Sequence, residues 1–177
     1  MNIPLDVLKI VASYLVKPKM KLLDWVLLDK IDWWELSKNP NAIHLLEQNM
    51  NKINWSCISS NPNAIHLLEQ NMDKIDWDGL SENPNAIHLL EKNIDKINWW
   101  QLSGNPNAIH LLEQNIDEIE WHILSNNSNA INLLKKNIKK IKWWDFSSNP
   151  NIFEIDTKQL KLDIAEQAKI IDSIIYE

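Results

Sequence analysis

Four histidines, His44, His66, His88 and His110, recur at a constant spacing of 22 residues. Imidazoles can bind metal or titrate near neutral pH, so the first question is whether neighbours can act together. If each copy lies on one of a series of stacked helices, adjacent rings stand about 8–10 Å apart. Zinc needs nitrogens about 2.0–2.1 Å away, so neighbouring histidines cannot share an ion at that spacing. No H-x-x-x-H or C-x-x-C pair supplies a second ligand. The pattern therefore predicts a hydrogen-bonding ladder of Asn41, His44 and Gln48 and their equivalents, with no metal and no cofactor. Such a ladder would respond to pH near about 6.5.

Carboxylates repeat with the same period at Glu47, Glu69, Glu91 and Glu113, followed four or five residues later by Lys52, Lys74 and Lys96. A solvated helix face with weak pairs of at most ~1 kcal/mol each accounts for them. Catalytic signatures are missing: there is no G-x-S-x-G, no phosphate-cradling glycine loop and no H-E-x-x-H. Glycine occurs only at Gly79 and Gly104. The expectation is a non-enzymatic protein.

The elements that must hold these residues follow from one stretch. "NPNAIHLLEQN" begins at Asn39, Asn61 and Asn105, with one substitution at Asn83 and as the looser "NSNAINLLKKN" at Asn127. Trp33, Trp55, Trp77, Trp99, Trp121 and Trp143 keep the period without an insertion. A fixed period of this length is the mark of a solenoid. Five units run from Trp33 to Lys142, and a sixth starts at Trp143 and dissolves after Asn151. "LLDWVLLDKID", before Trp33, resembles half a unit with one extra residue.

Each unit predicts two short helices. Asp32, Asn54, Asp76 and Asn98 suit the cap of the first, which carries the tryptophan and, three residues on, Leu36 or its equivalent. That helix must end near Ser37, because Asn-Pro follows. Asn39 with Pro40 suits the start of the second, Ala42, Ile43, Leu45 and Leu46 give it a broad apolar face, and Asn49 suits a left-handed terminus. Asn39, Asn41 and Asn49 read as amides that cap helix ends and bridge one turn to the next. One unit cannot fold alone; stacked units bury each other's faces, at about 1.5–3 kcal/mol per Trp or Leu fully buried. The predicted fold class is an all-α solenoid of helical hairpins with a capping helix at each end: residues 1–32 as N-terminal cap, 33–153 as array, 154–177 as C-terminal capping helix. Ile164, Ala168, Ile171 and Ile175 would line that last helix. The sequence does not fix the hand of the superhelix.

Composition narrows the partners. The 177 residues carry a net charge of −6, one cysteine, Cys57, and no arginine. Absent arginine argues against phosphate gripping, and a lone cysteine fits a reducing compartment. No apolar run can span a bilayer, and the N-terminus lacks the layout of a signal peptide. A soluble intracellular protein is expected. One charge shift stands out: Lys135, Lys136, Lys139, Lys140 and Lys142 replace acidic and amide residues in the fifth unit. They could face an acidic partner, a nucleic-acid backbone or only solvent.

Positions that vary between units are free to meet a partner. They follow the invariant tryptophan: Trp34, Ser56, Asp78, Trp100, His122 and Trp144. Tryptophan at a position that also accepts serine or aspartate should be partly exposed, and exposed tryptophans are typical interface anchors. Trp34, Trp100 and Trp144, with Asp78 and His122, are the candidate partner-binding residues.

The unit W-x-x-L-S-x-N-P-N-A-I-H-L-L-E-x-N resembles a short repeat found in many proteins of giant amoeba-infecting DNA viruses, over about two-thirds of the chain. The abundance of Asn, Lys and Ile fits an AT-rich genome of that kind. The resemblance implies an array rather than an activity. "IPLDVLKIVASYL", from Ile3 to Leu15, resembles the opening of an F-box, with Pro4, Leu5, Leu8, Ile10 and Leu15 at its proline and apolar anchors. That implies docking to a host Skp-type adaptor of a cullin–RING ubiquitin ligase in the host cytoplasm, with the repeats as substrate receptor. The match is about half an F-box long, and an amphipathic capping helix explains the same residues. A single-stranded nucleic-acid binder and an end-to-end self-assembling protein are the alternative functions.

Overall fold

The structure is a computed structural model that describes residues 20–175. It is an all-α solenoid: among the described residues there are helices and turns but no strand. Each unit contributes two helices: α1 (Trp33–Lys38) and α2 (Ile43–Glu47), α3 (Trp55–Ser59) and α4 (Ile65–Glu69), α5 (Trp77–Glu82) and α6 (Ile87–Glu91), α7 (Trp99–Gly104) and α8 (Ile109–Gln114), α9 (Trp121–Asn126) and α10 (Ile131–Lys136). The sixth unit has only its first helix, α11 (Trp143–Phe146). The last helix is α12 (Thr157–Ile175). Successive first helices pack in a column, α1 on α3 and so on to α9 on α11. No described helix is long and apolar enough to cross a membrane.

The structure adds a third element to each unit. A 3-10 turn follows the second helix at Met50–Lys52, Met72–Lys74, Ile94–Lys96, Ile116–Glu118 and Ile138–Lys140. It lets Ile53, Ile75, Ile97 and Ile119 drop into the core before the chain turns into the next tryptophan.

The first-helix caps form as the sequence predicts. Asp32, Asn54, Asp76 and Asn98 accept the N–H of Glu35, Cys57, Gly79 and Gln101 at 2.8–3.2 Å. The second helix starts later than Asn39-Pro40 suggests. Asn39 Oδ1 caps a tight turn by accepting from Asn41 N at 2.9 Å, and α2 itself begins at Ile43 with Ala42 as cap residue. Asn49 is not left-handed: its φ is −135°, and no described residue has positive φ. Its amide Nδ2 instead donates to Leu45 O at 2.9 Å, so the side chain satisfies the helix-end carbonyl that a left-handed backbone would otherwise reach.

The core is a row of fully buried residues, Leu46, Ile58, Leu68, Leu80, Leu90, Leu102, Leu112, Leu124 and Leu134, closed by Ala64, Ala86, Ala108 and Ala130. The repeated tryptophans are not fully inside it. Trp33, Trp55, Trp77, Trp99 and Trp121 are half-buried and pack against its edge. A lysine closes the outer side of three of them: Lys52 Nζ lies 4.6 Å from the Trp33 ring centre, Lys74 4.8 Å from Trp55 and Lys96 4.7 Å from Trp77. These lysines therefore serve the tryptophans rather than the repeated glutamates.

The C-terminal helix forms over the predicted stretch, but Leu160, Leu162, Ile164 and Ile171 are exposed along it. As a cap it leaves Trp143 and Ile138 of the last turn open to solvent. The chain reaches it through Phe153, whose backbone is extended.

Candidate functional site

A polar spine sets the orientation of every first helix. Ser37 Oγ donates to Trp33 O at 2.7 Å and accepts from Asn54 N of the next unit at 3.0 Å. The same pair of bonds recurs at Ser59, Ser81, Ser103 and Ser125. Beside it runs a column of buried asparagines. Asn83 Nδ2 donates to Ser59 O and Asn61 O, both at 2.9 Å, and Asn105, Asn127 and Asn149 repeat this one unit on each. A second amide row lies on the surface, where Asn63, Asn85 and Asn107 donate to Pro40 O, Pro62 O and Pro84 O at 2.8–2.9 Å. The bridging role read for the asparagines is thus realised between units. The serine's role was not read from the sequence. Its signal was present, because serine recurs four residues after each tryptophan.

With each first helix locked at one rotation, the residue after the tryptophan faces the same side in every unit. Trp34 and Trp100 are each 49% exposed and Trp144 is 88% exposed. Trp34 and Trp100 stand three units apart, so these rings form a broken row, not a single pocket. Lys38 Nζ sits 3.2 Å from the centre of the Trp34 ring and 3.4 Å from Glu35 Oε1. Asp78 accepts from Asn98 Nδ2 of the next unit at 2.8 Å, and His122 Nδ1 lies 3.6 Å from Glu120 Oε2. A shallow groove of about 170 Å3 opens beside His122, lined by Gly104, Ile123, Asn126 and Asp145. Cys57, in the same helix column, is buried, and that burial raises its thiol pKa.

The opposite, second-helix face carries the histidines, and each reaches back one unit to a glutamate. His66 Nε2 lies 2.7 Å from Glu47 Oε1, His88 2.9 Å from Glu69 and His110 2.7 Å from Glu91. At the fifth unit Asn132 replaces the histidine, and Lys136 Nζ takes over the pairing with Glu113 at 3.0 Å. His44 Nδ1 adds a contact of 3.4 Å to Glu47 Oε2. The hydrogen bond from His66 holds the Glu47 carboxyl below its ordinary pKa, against burial, with help from His44. The repetition of exposed histidine and glutamate therefore has a structural cause: they tie adjacent units together.

The lysine run of the fifth unit is partly answered within the chain. Lys136 is paired with Glu113, and Lys139, Lys140 and Lys142 stand one unit after Asp117, Glu118 and Glu120. The candidate adaptor-docking residues Pro4, Leu5, Leu8 and Leu15 lie outside the described residues.

Comparison of the chain with protein-family models, curated proteins and solved structures gives no match.

Proposed function

We propose that the chain is a non-enzymatic protein-binding scaffold that recognises its partner through the outer face of its first helices. The observation that carries this reading is the division of labour within the repeat. Positions that recur are spent on inter-unit bonds, while the position after each tryptophan varies and carries exposed rings at Trp34, Trp100 and Trp144. Large exposed aromatics cost free energy in water and gain it when an apolar surface covers them. The row is broken by Asp78 and His122, which would set polar register along an elongated partner.

The resemblance of residues 3–15 to an F-box extends the reading. The chain would be a viral substrate adaptor in the host cytoplasm, with Pro4, Leu5, Leu8 and Leu15 docking a Skp-type subunit of a cullin–RING ligase. The test is affinity capture from eukaryotic host lysate with the full chain, a Leu5→Ala/Leu8→Ala variant and a Trp34→Ala/Trp100→Ala/Trp144→Ala variant, all verified as folded by circular dichroism. Loss of Skp and cullin in the first variant alone supports the adaptor role. Loss of a different protein in the second supports the tryptophan face. Capture unchanged by the tryptophan substitutions sinks the proposed face.

A further inference from the structure

Among the described residues the two ends of the array are open, and they are open in complementary ways. At the C-terminal end, Phe146 is half-buried, whereas the residues in its place in four earlier units, Ile58, Leu80, Leu102 and Leu124, are fully buried. Ile138 is 58% exposed, against 40% for Ile94 and 36% for Ile116. Ser147 is exposed, while Ser37, Ser59, Ser81, Ser103 and Ser125 are fully buried. The sixth unit has a first helix and a turn, but the chain then departs from the repeat. A groove of about 450 Å3 lies where its second helix would pack, lined by Ile131, Ile138, Ile141, Trp143, Phe146 and Ile152. Ser147 O and Asn149 O, the acceptors that an asparagine of a following unit would fill, receive no side-chain amide from the described residues, and Asn149 O takes only the Ile152 N–H at 3.4 Å.

At the N-terminal end the opposite half is present. The 3-10 turn Leu28–Lys30 occupies the place of Met50–Lys52, with Ile31 and Asp32 in the places of Ile53 and Asn54. No described first helix precedes it. Leu22 and Val26 are half-buried, beside Leu36 and Leu45 of the first unit, while Leu23 and Leu27 are exposed. Ile31 is half-buried, though its equivalents are buried. Asn39 is exposed, though Asn61, Asn83, Asn105, Asn127 and Asn149 are buried and use their amides as donors.

We propose that copies of this chain dock head to tail, the half-unit at Leu22–Ile31 of one copy filling the groove beside α11 of another. The junction would repeat the one that the chain already makes between its own units. By the inter-unit bonding pattern, Asn39 Nδ2 of the second copy would donate to Ser147 O and Asn149 O of the first. Asp32 N would donate to Ser147 Oγ. Each copy keeps one free end, so the contact is heterologous and does not close on itself.

The experiment is sedimentation equilibrium on the full chain over a wide concentration series, with Asn39→Asp at one end and Ile138→Asp at the other. Asn39→Asp keeps the oxygen that accepts from Asn41 N and puts a carboxylate oxygen in place of the donor at a position exposed to solvent, so the fold is retained. The wild-type mass should rise past the dimer without a plateau. Asn39→Asp should weaken the association about tenfold or more, the loss of a hydrogen bond and the facing of a carboxylate onto two carbonyls. An equimolar mixture of the two variants, each intact at one end, should form a heterodimer and stop there. A wild-type chain that remains monomeric throughout overturns the proposal. So does a wild-type dimer that plateaus and persists in both variants, because that contact would be two-fold symmetric.

Discussion

Asn83 reaches back a whole unit and donates from one amide nitrogen to both Ser59 O and Asn61 O, each at 2.9 Å. Its Oδ1 accepts from Asn85 N at 3.0 Å, so one fully buried side chain satisfies three backbone groups. Asn83→Ala would strand Ser59 O in the interior and remove one of the two donors to Asn61 O, which keeps Ala64 N at 3.1 Å, while the freed N–H of the exposed Asn85 can turn to water. A buried polar group left alone costs about 1–3 kcal/mol, so a loss of that size is expected. That is a large part of a typical domain's stability. Urea titration measures it. A loss below about 1 kcal/mol would mean that water or a shifted backbone takes the amide's place.

Adjacent tryptophans should behave oppositely. Trp99 packs against the core and Trp100 is 49% exposed. Trp99→Ala should cost about 2 kcal/mol, less than the roughly 3–5 kcal/mol of a fully buried tryptophan because its ring is only half-covered. Trp100→Ala should change stability by less than about 0.5 kcal/mol and act only on partner capture. Equal destabilisation by the two would place Trp100 in the stack and remove it from the proposed binding face.

The His–Glu ladder predicts acid sensitivity. The Glu47 carboxyl is held below its ordinary value of 4.5, first by the hydrogen bond from His66. A lowered carboxylate pKa contributes stability that is complete above the unfolded value and is lost as pH falls through the folded value. The urea midpoint should therefore fall below the ordinary pKa of 4.5, and Glu47→Gln should reduce that fall. An identical acid profile in the variant would show that the pairing makes no net contribution. The side chain is partly exposed, so the effect should shrink as salt is added.

Gly79 marks a close approach between first helices. A Cβ there would stand 2.9 Å from Ser56 O, a backbone atom, and 3.3 Å from Ser59 Cβ. Alanine is the better helix former by about 0.5–1 kcal/mol, but the clash forces α5 away from α3, and overpacking costs about 1–3 kcal/mol. Gly79→Ala should therefore destabilise. Gly104→Ala meets only a side-chain methyl, Ile123 Cγ2 at 3.3 Å, and should be close to neutral or stabilising. Thermal melts of the two variants separate the cases, and a stabilised Gly79→Ala would show that the helices are free to move apart.

How much of this the sequence disclosed depended on the range of the interaction. Local signals read correctly: the period, the helix pair and the caps at Asp32 or Asn54 all act within a few residues of the chain. Asn49 departs from the left-handed expectation because its side chain and a left-handed backbone answer the same unsatisfied carbonyl, and sequence does not say which does so. The lysine partners differ from the expected glutamates for a similar reason. Lys52 has Glu47 close in sequence, but its Nζ lies over the Trp33 ring, 4.6 Å from the centre. From the sequence Ser37 marks only a helix end, because its partner Asn54 N is seventeen residues away and backbone donors leave no mark on composition. The exposed tryptophans were legible because their position varies between units, and variation within one chain is itself an observation about solvent.

The inter-unit bonds have a consequence at the level of the gene. The bonds that join one unit to the next recur at fixed separations of 17, 22 and 24 residues, so deleting or duplicating a whole period restores the same bonds across the new junction. Near-identical coding segments in tandem are prone to slippage and unequal exchange. In most proteins such events destroy the fold, but here they would only lengthen or shorten it. The number of units is thus a quantity on which selection can act by single recombination steps, with each step changing the reach of the molecule and leaving its architecture intact.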